Sequence, residues 1–168
     1  WIQTYSGRKF DFLEFTEADI CIEDIAHALS MQCRFNGHSR FYSVAEHSLV
    51  VASMVPPSHI LEALLHDAAE AYLGDIVSPL KALLPDYRGI EARVDGAIRR
   101  KYRLPLEETP DVTTSDRWAL SLEFRHVFPG AQVTGAVPSA GLDYRRPEGL
   151  APSIVEVEFT DAVRKYLR

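Results

Sequence analysis

Several things are scarce in this 168-residue chain, and each scarcity closes a class. The longest apolar stretch, Leu49 to Val55, is interrupted by Ser53 and closed by Pro56-Pro57. It falls far short of the ~20 residues that a bilayer-spanning helix needs, so no membrane helix is expected. No secretory signal is read at the start of the chain either. Two cysteines, Cys21 and Cys33, are too few for a zinc knuckle and do not suggest a disulfide framework, which suits a reducing, cytoplasmic compartment. Nine glycines and ten prolines rule out collagen-like and low-complexity chains. Basic residues are outnumbered, 18 Lys and Arg against 24 Asp and Glu, and the net charge of −6 argues against binding a nucleic-acid polymer. No G-x-x-x-x-G-K-[ST] segment occurs, so P-loop phosphate chemistry is absent.

What is present is a 46% hydrophobic chain with strong helical periodicity, read as one domain over residues 1–168. Trp1 to Phe12 holds two short aromatic-rich segments around Ser6-Gly7 and predicts a small β-hairpin. The rest is read as helical. Ile22 to Gln32 forms a first helix. Ser43-Val44-Ala45-Glu46 fits a capping box opening a helix to Met54. A helix runs from an Ser58 cap to about Leu73, ended by Gly74, and Ser78-Pro79 starts a short one. Further helices are expected over Asp86 to Tyr102, Ser115 to Phe128 and Phe159 to Leu167, with Pro129 to Pro152 as loop. The expected fold is an all-α bundle with an N-terminal hairpin.

Ionisable residues in phase with apolar ones carry the functional signal, because an unpaired buried charge is costly. His47 shares a face with Val44, Val51 and Met54. Asp116 shares one with Leu120, Phe124 and Val127. In Leu65-His66-Asp67-Ala68-Ala69-Glu70 the three polar side chains fan over one side of a helix, with small residues between them. A solvated face is the plain alternative for each alone. Together, His47, His66, Asp67 and Asp116 make a mixed nitrogen and oxygen ligand set for a divalent ion, with positions left for water. His59 is too far along its helix to share that ion. His38, in a loop able to fold over the site, is a candidate substrate contact. His27 and His126 are read as structural.

The segments Tyr42-Ser43-Val44-Ala45-Glu46-His47-Ser48, Leu64-Leu65-His66-Asp67-Ala68-Ala69-Glu70-Ala71-Tyr72-Leu73-Gly74-Asp75, Pro79-Leu80-Lys81 and Ser115-Asp116-Arg117 occur in that order. Together they resemble the HD-domain phosphohydrolases, over about Ile22 to Phe128, and most of all the branch of 5′-deoxynucleotidases and small viral deoxyadenosine triphosphohydrolases. The resemblance implies an all-helical fold with metal ligands at His47, His66, Asp67 and Asp116. It places a proton-transferring acid at Glu70 and a second acid at Asp75, suited to orienting the sugar 3′-hydroxyl or a water. It matches an Arg-aromatic pair to Arg34-Phe35 and a phosphate-facing lysine to Lys81. Relatives carry Trp where Phe35 stands, so the sugar-side contact differs.

The expected activity is metal-dependent hydrolysis at the α-phosphorus of a deoxynucleotide, of a dATP-like triphosphate first, giving deoxynucleoside and triphosphate. The alternatives are a 5′-deoxynucleotidase releasing phosphate from a monophosphate, and a non-catalytic nucleotide-binding domain. A cyclic-nucleotide phosphodiesterase fits less well, because a two-metal site would need further histidines. His and carboxylate ligands suit Co, Mn, Zn, Ni, Fe or Mg ions. A homo-oligomer, dimer or hexamer, is expected, with the N-terminal segment and the Pro129 to Pro152 loops as packing surfaces.

Overall fold

The chain begins with the hairpin that its Ser6-Gly7 turn predicts. In the computed structural model, which describes residues 1–128, 130 and 143–167, β1 (Ile2–Gln3) pairs antiparallel with β2 (Lys9–Phe10), Ile2 opposite Phe10. Phe10 seats the hairpin on the bundle by stacking on Tyr72 at 4.2 Å. The elements that follow are helical: α1 (Ile22–Met31), α2 (Val44–Ala52), α3 (Ile60–Leu65), α4 (Glu70–Leu73), α5 (Ser78–Lys81), α6 (Pro85–Lys101), α7 (Pro110–His126) and α8 (Pro152–Tyr166). Short 3-10 turns lie at Glu17–Asp19, Phe35–Gly37 and Pro57–His59. The architecture is the expected all-α bundle with a small hairpin, and among the described residues no helix is long and apolar enough to cross a membrane.

All nine residues of α2 are buried, which makes it the central helix. It packs against α3, α7 and α1, while α1 packs on α8. The expected phase holds for Val44, His47, Val51 and Met54, all of them buried.

The Ser43 capping box is only half formed. The Ser43 hydroxyl accepts from the Glu46 amide at 3.1 Å. The Glu46 carboxylate instead accepts the backbone amides of Glu148, Gly149 and Leu150, at 2.7, 2.9 and 2.8 Å. A fully buried carboxylate that collects three amides is better satisfied than one reaching back to its own cap. Gly149 makes the approach possible: its φ is +75°, and a Cβ there would lie 2.5 Å from the Phe41 carbonyl oxygen.

The single helix expected from Ser58 to Leu73 is divided. Ser58 lies inside the Pro57–His59 turn rather than capping a helix. After α3 the ladder tightens: the Ala68 amide bonds to the Leu65 carbonyl, Glu70 to Asp67 and Ala71 to Ala68. Those are i→i−3 bonds of the 3-10 type. Gly74, at φ +85°, then ends α4 as expected, its amide donating to the Glu70 carbonyl. The last two helices start earlier than their apolar periodicity suggests, at Pro110 and Pro152, because proline at the first helical position sets the start. Buried Glu62 organises the start of α7, accepting from the Thr109 amide and hydroxyl, both at 2.8 Å, and pairing with Arg99 of α6 at 3.5 Å. Of the expected Pro129 to Pro152 loop, 129 and 131–142 lie outside the described residues; Asp143 to Ala151 is without regular structure.

Replacing Glu46 by Ala leaves three backbone donors without their acceptor, at a cost of about 3 kcal/mol. Thermal unfolding of Glu46→Ala should show a melting temperature lower by roughly 6–12 °C; an unchanged melt would show that the 148–150 segment does not depend on this carboxylate.

Candidate metal centre

The central helix presents His47 from a fully buried position. His47 Nδ1 faces Glu123 Oε1 at 2.5 Å, which leaves Nε2, on the opposite edge of the ring, as the candidate ligand atom. Nε2 stands 3.3 Å from His66 Nε2, 3.5 Å from Asp67 Oδ2 and 3.1 Å from Asp116 Oδ1. His66 Nδ1 donates to the Ala63 carbonyl at 2.8 Å, so its Nε2 also faces the cluster, 3.2 Å from Asp67 Oδ2. A histidine whose other nitrogen is held by a carboxylate or a backbone carbonyl is the usual arrangement around a bound ion.

The spacing fits an ion. With bonds of about 2.1 Å, neighbouring donors stand roughly 3.0 Å apart around an octahedral metal and roughly 3.4 Å around a tetrahedral one. His47, His66 and Asp67 form a group that can hold a metal ion. Asp116 approaches it from the His47 side.

The tightened turn supplies two of these groups, His66 and Asp67, and a third side chain beside them. Glu70 is nearly buried, and its Oε2 has no hydrogen-bond partner among the described residues. Gln32 clamps the segment around it, donating to the Glu70 carbonyl at 2.9 Å and accepting the Asp75 amide at 3.2 Å.

From this group Asp67, with Asp116 beside it, borders a cleft of about 570 Å³. Asp67, Glu70, Asp75 and Asp116 line its acidic side, Arg34 and Lys81 are its cations, and Phe35, Leu120 and Phe124 form an apolar wall. Leu120 and Phe124, read from sequence as core, thus face the cleft; Leu120 is 39% exposed, and only Val127 of that stripe is buried. Phe35 lies 5.7 Å from Phe124 and 4.9 Å from Phe128, ring centre to centre. Its backbone is left-handed, φ +59°, followed by Asn36 at +52°. Bulky residues rarely adopt that conformation, and such strain concentrates at functional sites.

Arg34 reaches two acids at once, Asp67 at 3.6 Å and Glu123 at 3.4 Å, while its buried Nε has no partner among the described residues. Lys81 sits 3.5 Å from Glu70 and 2.6 Å from Glu91. His38 is exposed, and no contact brings it to the cluster. His59 pairs with Asp111 at 2.8 Å, and His27 with Glu156 at 3.1 Å under the ring of Tyr5, both structural placements. Arg40 donates to the His126 carbonyl, away from the cleft.

Sequence reasoning missed Glu123, Gln32 and Glu91. For Glu123 a signal existed: it stands two helical turns beyond Asp116 on the same face.

Burial sets the protonation states, with the acids as its opponents. Burial pushes the His66 imidazole down, but the Asp67 carboxylate outweighs it and holds it up at about 10. His47 is raised too: burial and Arg34 act against the charge, and Glu123 and Asp116 overcome them. Burial, then the charges of Asp67 and Asp75, push Glu70 up to about 9. Asp116 and Glu123 remain below the ordinary carboxylate range, because the cations beside them outweigh burial.

No family model matches the chain. Over 126 residues it is 47% identical to the uncharacterized protein YfdR of Escherichia coli (strain K12), covering 74% of this chain and 71% of that protein. Over 116 residues it is 40% identical to an uncharacterized protein of Rhodobacter capsulatus, covering 62% of this chain and 59% of that protein.

Two outcomes are expected. Glu123→Gln, which keeps the shape and removes the charge behind His47, should weaken divalent-ion affinity roughly 10–100-fold with the helical circular-dichroism spectrum retained. In chelator-treated protein, His66 and Glu70 hold protons more tightly folded than unfolded. Their contribution to stability is therefore present at low pH and is lost as pH rises through about 9 to 10. Melting temperature should fall from pH 7 to 10 without metal and hold steadier with it, and metal binding at pH 7 should release protons, seen by calorimetry in two buffers.

Proposed function

We propose that this chain, which belongs to the same protein family as Escherichia coli YfdR, is a divalent-metal-dependent phosphohydrolase that cleaves the ester at the α-phosphorus of a deoxynucleotide. The observation that carries this reading is one juxtaposition. Asp67 of a His-His-Asp metal group, Asp116 beside it, a nearly buried carboxyl with a partnerless oxygen, two cations and an aromatic wall all border the same cleft. Its 570 Å³ lies in the range of small-molecule sites. The resemblance to HD-domain phosphohydrolases supports the same roles.

His47, His66, Asp67 and Asp116 would hold the ion, of Co, Mn, Zn, Ni, Fe or Mg type. Bound there, it supplies Lewis acidity toward a phosphate oxygen and toward water. Glu70, held protonated at neutral pH, can deliver its proton to the leaving sugar oxygen. Arg34 lines the cleft and carries a planar fork suited to phosphate oxygens. Asp75 lies across the cleft for the sugar hydroxyl or a water, and Phe35, Leu120 and Phe124 offer flat apolar surface to the base and sugar.

The cations favour one substrate over the other. Among the described residues only Arg34 and Lys81 are cations that line the cleft, and each already faces two acidic side chains. A triphosphate brings about two more negative charges than a monophosphate and needs more donors. Arg40 and Arg117 do not line the cleft, and 131–142 contains no Lys or Arg. The monophosphate, with release of phosphate, therefore moves ahead of the triphosphate as the preferred substrate. The triphosphate stays as the second reading because Arg88 lies in an adjoining cavity that shares Asp67 and Glu70 with the cleft. A cytoplasmic homo-oligomer, dimer or hexamer, belongs to the same proposal; light scattering reads its mass.

The test is product analysis by chromatography after incubating Mn²⁺- or Co²⁺-loaded protein with each deoxynucleoside mono- and triphosphate. Nucleoside and phosphate from monophosphates are expected, reduced at least ~10³-fold by Asp67→Ala. Nucleoside and triphosphate would make it a triphosphohydrolase. Nucleotide binding without turnover would replace both with a non-catalytic nucleotide-binding domain.

A further inference from the structure

Lys81 has two acidic side chains as neighbours, and they stand in different places. Glu70 Oε1, 3.5 Å away, belongs to the cleft beside the metal group. Glu91 Oε1, 2.6 Å away, belongs to α6 and lines a second cavity of about 370 Å³, together with Arg88, Asp95 and Arg99. Glu91 is absent from the lining of the cleft. The ammonium group is thus gripped from behind by one carboxylate while it faces another.

Little else fixes Lys81. It ends α5, a helix of four residues, between the turn at Gly74 and the start of α6. The Tyr87 ring centre is 5.8 Å from its Nζ, and the Tyr87 hydroxyl donates to the Gly74 carbonyl. A lysine stem has four flexible carbons and loses much rotamer freedom when held in one pose. A short charge-assisted bond opposes that loss, and this pair is largely shielded from solvent, with about a quarter of each side chain exposed. Were the rear grip absent, the nearest acidic partner would be Glu70, and the contact so formed would occupy both the cleft's cation and its acid.

We propose that Glu91 is a positioning residue: it holds the Lys81 ammonium at the cleft edge, away from close pairing with Glu70, so that the charge stays available to a phosphate group. This rests on the phosphohydrolase reading for the identity of the anion. The grip itself does not depend on that reading.

Two measurements on the full chain test it with Glu91→Gln, Lys81→Met and the double variant, each checked for retained helicity. In ¹⁵N-edited NMR of chelator-treated wild-type protein, the Lys81 ammonium should give a slowly exchanging signal, identified by its loss in Lys81→Met. Glu91→Gln should broaden or remove it. An unchanged signal in Glu91→Gln would overturn the proposal whatever the substrate. Inorganic phosphate binding to Mn²⁺-loaded protein should weaken about fivefold in Glu91→Gln and about tenfold in Lys81→Met. The double variant should bind like Lys81→Met alone, because Glu91 acts only through that lysine. Multiplying losses would mean that Glu91 acts by another route, and would also overturn it. If wild-type protein binds no phosphate, the phosphohydrolase reading fails, while the ammonium signal still decides whether Glu91 grips Lys81.

Discussion

Negative charge packed into a partly dry space is the constraint on which this structure turns. Asp67, Asp116 and Glu123 gather around the two histidines, with Glu70 close behind. Two like charges 4 Å apart repel by about 4 kcal/mol at the effective dielectric of a protein margin. The surroundings are organised to offset that repulsion. Arg34 runs between Asp67 and Glu123, His66 keeps its proton against burial, and Glu70 gives up its charge. A divalent ion among the same nitrogen and oxygen atoms would take over the work of those protons, which is why fold stability, proton binding and metal binding form one linked equilibrium.

Local regularity is given up where this charge is held. The helical ladder tightens at His66 to Ala69, where two of the metal-facing side chains sit, and the backbone turns left-handed at Phe35 and Asn36, next to Arg34. Both departures lie on the cleft wall, while α2 and α6, which supply the frame, are regular. Strained conformations of order 1–3 kcal/mol persist only where the surroundings over-determine them. Here the Arg34 amide is tied to the Tyr42 carbonyl, and the Phe35 ring is packed among Phe124, Phe128 and the Arg34 guanidinium.

Much of this was legible in the residues. Apolar periodicity carried the helices, and the phase of His47 on its helix led directly to the cluster, because the energetic cost of burying a polar group shows in sequence as a break in an apolar stripe. The starts of α7 and α8 were less legible, since the prolines that set them precede the periodic stretch. Leu120 and Phe124 misled for an instructive reason: the wall of a ligand cleft and the face of a core have the same apolar pattern, and only the fold tells them apart. Glu46 misled because a capping box and a long-range strap use the same side chain. Glu91 and Gln32 act across the chain on Lys81 and Glu70, and no local pattern announces a contact of that kind.

The long-range carboxylates also explain how segments so distant in sequence are held in register. The site draws on residues 34, 47, 66–75, 81, 116 and 123, so no single element can carry it. Glu46 ties α2 to the approach to α8, immediately beside His47. Glu62 ties α3, one turn before His66, to the first residues of the helix that bears Asp116 and Glu123. Each strap joins a ligand-bearing helix to a distant segment through buried, charge-assisted bonds, and so sets the separation of the ligand atoms from outside the site. An ion that binds only the folded arrangement stabilises it by about 2.7 kcal/mol at a hundred times its dissociation constant. Every contact that holds the bundle together would share that gain, so carboxylates remote from the cleft would support an ion bound beside it.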